Sequence, residues 1–543
     1  MNQHMHSHLL GSRPVQFIAI LVVVVATLAA AVNYPAALGP LLLNGVLTTL
    51  LVRTVLTNRS SFFSFFLLAF LILGCWAKLV LHFILGTQFI EPIGAFDDSP
   101  SAWNTCLVAL NTAFATLLTC QYIASRTLHW TNHERAINTE SPLLRPAMWF
   151  CIVVTCVALA LNFKYAILKV GTEPGLRLNS YLYVLVSFMV AWGNLILLAT
   201  VGYWMVRARK LGLESLFYIL ILEGAVTAVS MGSRAQMILH VAAPFVVYLT
   251  HGRELVSALR PAQWLRILLV TALLFVASIL LVSADRLHSF AQARPINSAS
   301  IAENVLLAPP LSQTASADER LPLARLELWV AASEDATLAT TAWLAPGAPV
   351  LRMATATPQQ ASAAPQAAEI TPARWKGMLM ELSKLIVDRW VGIEGVMAVT
   401  SHVHTGWPLF VSSLGERPES GTQAIYQRMS DAQYATYENF TFMTIPGPIA
   451  ILLYSANYTV LVAGLASLFL AGILAECLAR KLVGNIFTQA AVGVALAYLV
   501  VQMNFPRVQF FFLLELLGFI VGLYLARLTL NIRAPSAAIA GKA

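Results

Sequence analysis

Apolar runs of about 20 residues, the length a helix needs to cross a hydrocarbon core, recur along this chain and constrain it more than any other feature. They fall near residues 15–33, 36–57, 62–86, 104–124, 147–166, 180–206, 215–231, 236–250, 264–283, 444–474, 485–503 and 508–528. Backbone groups in lipid must bond within their own element, so runs of this length are helices. The sequence predicts an all-α polytopic membrane protein with about 12 transmembrane helices. Only 11% of the 543 residues are charged and 58% are hydrophobic, against about 25% charged in soluble domains. That excludes a soluble globular enzyme. The apolar run after Arg13 is too long for a signal-peptide core and reads as an uncleaved first span. His4, His6 and His8 before it read as a solvated tail.

The net charge of +8 would suggest nucleic acid as partner in a soluble protein. In a membrane protein it describes topology instead, and no nucleic-acid partner is expected. Seventeen Lys and Arg residues, among them Arg53, Arg126, Arg207 and Arg480, sit in connections on one side of the spans. Five (Lys164, Lys169, Arg177, Arg234 and Arg507) sit at short turns on the other. The positive-inside rule makes the first side cytoplasmic and puts both termini there. Six cysteines lie within or at the ends of apolar stretches without CxxC or Cys/His spacing, so they read as packing residues. No metal or cofactor is expected.

The chain divides into spans 1–9 (1–283), a large outer connection (284–443), and spans 10–12 with a cytoplasmic tail (444–543). The connection is too long for a structureless link. TPQQASAAPQAAEITPA within it reads as a tether. Residues 376–399 follow, with Met378, Leu382, Leu385 and Ile386 at helical spacing opposite Glu381, Lys384 and Asp388, which predicts an amphipathic helix.

Ionisable groups decide among transporter, channel, sensor and enzyme. Lys78, His82, Glu223, His240 and Glu515 lie within spans, where such groups are costly, and five are few for a proton-coupled pump. The outer rim is richer. Arg234 occupies a tight turn in SMGSRAQ between two spans, and Arg177, Arg389 and Arg507 stand at other outer positions. Guanidinium forks suit phosphate oxygens, and an Arg at a span end also serves as a headgroup anchor. Asp97 and Asp98 read as turn formers.

The stretch AVSMGSRAQMILHVAAPFVVYL resembles the Ser-Arg segment of the O-antigen polymerase and ligase superfamily, in which a span ends in a small-residue turn facing the periplasm and another span begins. The large outer connection and TIPGPIAILLYS after it are similar to that family's layout. The ligase branch carries a histidine shortly before a late Pro-Gly turn. Here SHVHTGWPLF (His402, His404) lies some forty residues before Pro446 and Gly447, so the resemblance is to the polymerase branch, with ligase and lipid-linked-sugar flippase or transporter as alternatives.

The resemblance implies a metal-independent glycosyltransferase of the bacterial inner membrane that uses an undecaprenyl-diphosphate-linked oligosaccharide as donor and a second as acceptor on the periplasmic face. A chain-length regulator, a flippase and membrane lipid are the expected partner classes. Arg177, Arg234, Arg389 and Arg507 would hold the diphosphate and stabilise the leaving group. Glu394, His402, His404 and Glu438 are candidate bases for the acceptor hydroxyl. Trp390 and Trp407 are candidate sugar platforms. Glu394 follows Trp390 by four and would share its helix face, with a helix cap or a surface ion pair to Arg389 as the other reading.

Overall fold

A computed structural model describes residues 12–57, 61–89, 91–127, 140–170, 172, 175–176, 178–252, 255, 259–292, 390–432 and 443–532. Among these, regular structure is helical, and ten helices are long and apolar enough to cross a membrane. The protein is a multi-pass, all-helical membrane protein. In chain order the helices are α1 (Arg13–Asn33), α2 (Leu38–Thr57), α3 (Phe62–Leu85), α4 (Pro100–Thr127), α5 (Leu144–Tyr165), α6 (Leu182–Arg207), α7 (Leu213–Met231), α8 (Arg234–His251) and α9 (Pro261–Gln292). Further along the chain come α10 (Ile393–Thr400), α11 (Trp407–Gly415), α12 (Ile425–Met429), α13 (Gly447–Leu453), α14 (Tyr458–Leu482), α15 (Ile486–Val501) and α16 (Pro506–Ile532).

Each of the twelve apolar windows meets a helix, and two of those helices are not among the ten. Helix α15 has only 16 residues, and α8 carries Gln236, His240, Pro244 and His251, which dilute its hydropathy. The window 444–474 is not one span. It opens with the short α13, turns at Ala456 with φ of +54°, and restarts where the Asn457 side chain accepts the Thr459 N–H. Asn485 caps α15 in the same way, accepting from Phe487 and Thr488, as expected of Asn at a helix start.

The core is organised around α15, which is apolar on every side and almost wholly buried, as a helix without a solvent face must be. Helix α3 lies against it so closely that a Cβ on Gly493 would sit 2.7 Å from Phe62 Cβ and from the Phe63 backbone nitrogen. Small residues permit such approach where lipid gives helices no hydrophobic reason to associate. Two spans contain π-helical turns, Ile72–Ala77 in α3 and Met189–Gly193 in α6. These turns shift side-chain register locally and free carbonyls for other partners.

The expected amphipathic helix is only partly within view: 376–389 lie outside the described residues, and α10 begins at Ile393. Trp390 precedes that helix and does not share a helical face with Glu394. Nor does Glu394 face outward. Its side chain is buried and ion-paired with Lys78, while Trp390 stacks on Phe70 with ring centroids 5.1 Å apart.

Candidate functional site at the outer turn

The turn that carries Arg234 is fixed by its own sequence. Helix α7 ends at Gly232, whose φ of +61° is the left-handed cap conformation that glycine adopts without a Cβ penalty. Ser233 is extended and α8 starts at once with Arg234. A neighbouring connection supports the turn: the Val170 N–H donates to Met231 O at 2.9 Å. Asn162 at the end of α5 donates to the Ser230 carbonyl and accepts the Leu168 N–H.

Three cations gather here. Arg234 is half-buried, and its Nη2 donates to Ser283 Oγ on α9 at 2.9 Å. Arg286, one turn further along α9, donates through Nε and Nη2 to the Gly232 carbonyl at 3.1 and 2.7 Å. Lys169 pairs with Asp285 at 2.7 Å, the two side chains 21% and 40% exposed. Three cationic side chains and the Asp285 carboxylate thus share a rigid, partly exposed rim. Such a place holds an anion without a conformational search.

Inside the bundle, one and a half turns along α8, the polar groups close on themselves. His240 is fully buried, its Nδ1 2.8 Å from Glu223 Oε2 and its Nε2 2.9 Å from the Ala191 carbonyl. Gln236 donates to the same carbonyl and Thr227 donates to Glu223 Oε1. The π-helical turn of α6 presents that carbonyl. The second interior pair, Lys78 Nζ to Glu394 Oε1 at 2.5 Å, joins α3, just past its π-helical turn, to α10. Between them the backbones of Gly74 and Gly392 are too close for either to carry a Cβ.

The other sequence candidates do not join the Arg234 cluster by any described contact. Arg507 is exposed in the first turn of α16, its guanidinium 5.9 Å from the centre of the Phe511 ring. Trp407 is 60% exposed and adjoins Phe410. The Nδ1 of His402 accepts the His404 N–H at 3.1 Å, and burial, then the neighbouring His404, holds the His402 imidazole below its ordinary range. The acceptor role of Nδ1 places the remaining proton on Nε2, so His402 in this arrangement is a donor rather than a base. Arg177, Arg389 and Glu438 lie outside the described residues. Asp97 accepts the Ser99 N–H at 3.1 Å and Asp98 has φ of +56°, the geometry of a turn.

Sequence reading picked out Arg234 and passed over its neighbours: Lys169 counted only as a topology-marking cation, and Arg286 fell within the large connection. The signal available was positional: DRLHSF directly follows the ninth span, and Lys169 lies near the start of the short connection between α5 and α6. Compared with protein-family models, with curated proteins and with solved structures, the chain finds no match.

Proposed function

We propose that this protein polymerises undecaprenyl-diphosphate-linked oligosaccharide repeat units, working at the periplasmic face of a bacterial inner membrane with both termini in the cytoplasm. The observation that carries the reading is the cationic turn: Arg234, Arg286 and Lys169 around the Gly232 cap, with Asp285 as the described counter-charge. Cleavage of the donor glycosidic bond releases a lipid diphosphate. Fixed guanidinium and ammonium groups stabilise its developing charge in the way a divalent metal does elsewhere. In this reading Arg286, held by two hydrogen bonds to the Gly232 carbonyl, braces the turn, and Arg234 and Lys169 face the diphosphate. Among the candidate bases, Glu394 is committed to Lys78 and His402 is a donor. His404, whose ring reaches solvent, is the described group best suited to take the acceptor proton.

Two experiments test this. In cells, loss of long chains with retention of a single-repeat band on deletion supports a polymerase, and loss of every capped band supports a ligase. In proteoliposomes, a lipid-diphosphate-linked repeat unit should yield a glycan ladder and free undecaprenyl diphosphate. A transporter of lipid-linked sugars is the second reading, favoured by the π-helical turns in two spans and by the break before α14, since interrupted helices line transport sites. It predicts movement between leaflets with no ladder.

A further inference from the structure

Away from the Arg234 turn, the segment joining α11 to α12 folds around an open cleft of about 540 Å³. Helix α11 stops at Gly415, a 3₁₀ segment at Pro418–Gln423 broken by a kink at Gly421 (φ of +52°) follows, and α12 starts at Ile425. Glu416 ties the two sides together: its Oε1 accepts the Ile425 N–H at 2.6 Å. Ser412, Arg417, Ser420 and Arg428 complete the lining around Ile425. Both arginines are exposed, and among the described residues no carboxylate lies within ion-pairing distance of either.

The lining is chemically mixed in a specific way. Two guanidinium groups supply charge-assisted donors in the fork geometry that matches a carboxylate. Two serine hydroxyls and the second oxygen of Glu416 supply partners for hydroxyl groups, and Ile425 supplies a small apolar surface. Small-ligand sites typically measure about 300–1,000 Å³, so the cleft has room for one or two sugar rings. A phosphate is the poorer occupant, because the Glu416 carboxylate in the wall repels a dianion more than a monoanion and phosphate brings no ring hydroxyls for the serines to bind. We propose that this cleft binds an acidic sugar of the glycan through its carboxylate, with Arg417 and Arg428 reading the charge and Glu416 and the serines reading the ring hydroxyls. The proposal rests on the glycan-polymerising reading, deepens it by naming a substrate class, and assigns a site separate from the diphosphate turn.

The test is binding to the full-length protein in a neutral detergent, measured by calorimetry without turnover. Trigalacturonic acid is the probe, its neutral methyl ester the control, and inorganic phosphate the competitor. The acid should bind at least about tenfold more tightly than the ester, the worth of one charge-assisted hydrogen bond. Arg417→Ala and Arg428→Ala should each remove that preference while leaving the thermal unfolding of the protein unchanged, and Arg417→Lys and Arg428→Lys should keep part of it. Equal binding of acid and ester overturns the proposal, as does acid binding indifferent to both arginines, or displacement by phosphate at the concentration of the trisaccharide. Failure of the proteoliposome polymerisation assay alongside arginine-dependent acid binding would remove the glycosyl-transfer reading and leave the site; polymerisation with no acid preference would do the reverse.

Discussion

The ionisable groups at the α7–α8 turn and those inside the bundle sit in opposite surroundings. Lys78 with Glu394 and His240 with Glu223 are buried pairs, each linking one helix to another beside a π-helical turn. Such pairs gain little over an apolar packing of the same volume, yet cost several kcal/mol when one partner is removed. Arg234, Arg286 and Lys169 are partly exposed, lie beside Asp285, and stand on a turn whose geometry is set by Gly232. In the proposed reading the buried ionisable pairs hold helices together, and the cationic groups on the rigid, partly exposed turn meet the ligand.

The contrast is open to attack by substitution. Arg234→Ala should abolish polymer, a loss of more than about a hundredfold by analogy with removal of one transition-state donor, while the protein persists in the membrane. Arg234→Lys should retain part of the activity. Polysaccharide gels and membrane immunoblots read both effects. Glu394→Gln, in contrast, should cost about 3–5 kcal/mol of stability by removing the carboxylate charge from beside the buried Lys78. The double variant Lys78→Met with Glu394→Leu should recover most of it, as seen by thermal unfolding in detergent. If the double variant is stable but inactive, that pair belongs with the rim and the distinction fails. Gly493→Ala should cost about 1–3 kcal/mol through overlap of the new methyl with Phe62 and Phe63, with activity per folded molecule unchanged.

The smallest effect concerns pH. Because His402 is held below its ordinary pKa of 6.5, the unfolded chain binds its proton more readily than the folded one. Folded stability should fall as pH drops below about 6.5 and stay level above it. His402→Ala should flatten that slope, measurable as the change in unfolding temperature between acid and neutral buffer.

The membrane fold was legible because hydropathy is additive along a helix: the windows of α1 to α7, α9 and α16 need no knowledge of neighbours. The window 444–474 misled because composition stays apolar through LLYSANYTV, although Asn457 is a helix-starting residue and Pro446 and Pro448 signal a short element. Arg234 was legible because Gly-Ser-Arg between two apolar runs allows few conformations. Its companions were not. Arg286 reaches Gly232 across 54 positions, and Lys78 finds Glu394 across 316, distances over which sequence spacing carries no register. For the same reason Glu394, polar and near a tryptophan in the outer connection, read as an exposed base when it is an interior partner.

The central claim is that the outer turn stabilises a departing lipid diphosphate. Release of undecaprenyl diphosphate from a lipid-linked repeat unit, followed in proteoliposomes containing wild-type or Arg234→Ala protein of equal thermal stability, tests it most directly. The account predicts stoichiometric release with ladder growth from the wild type, and neither from the variant. Equal release from both proteins would contradict it.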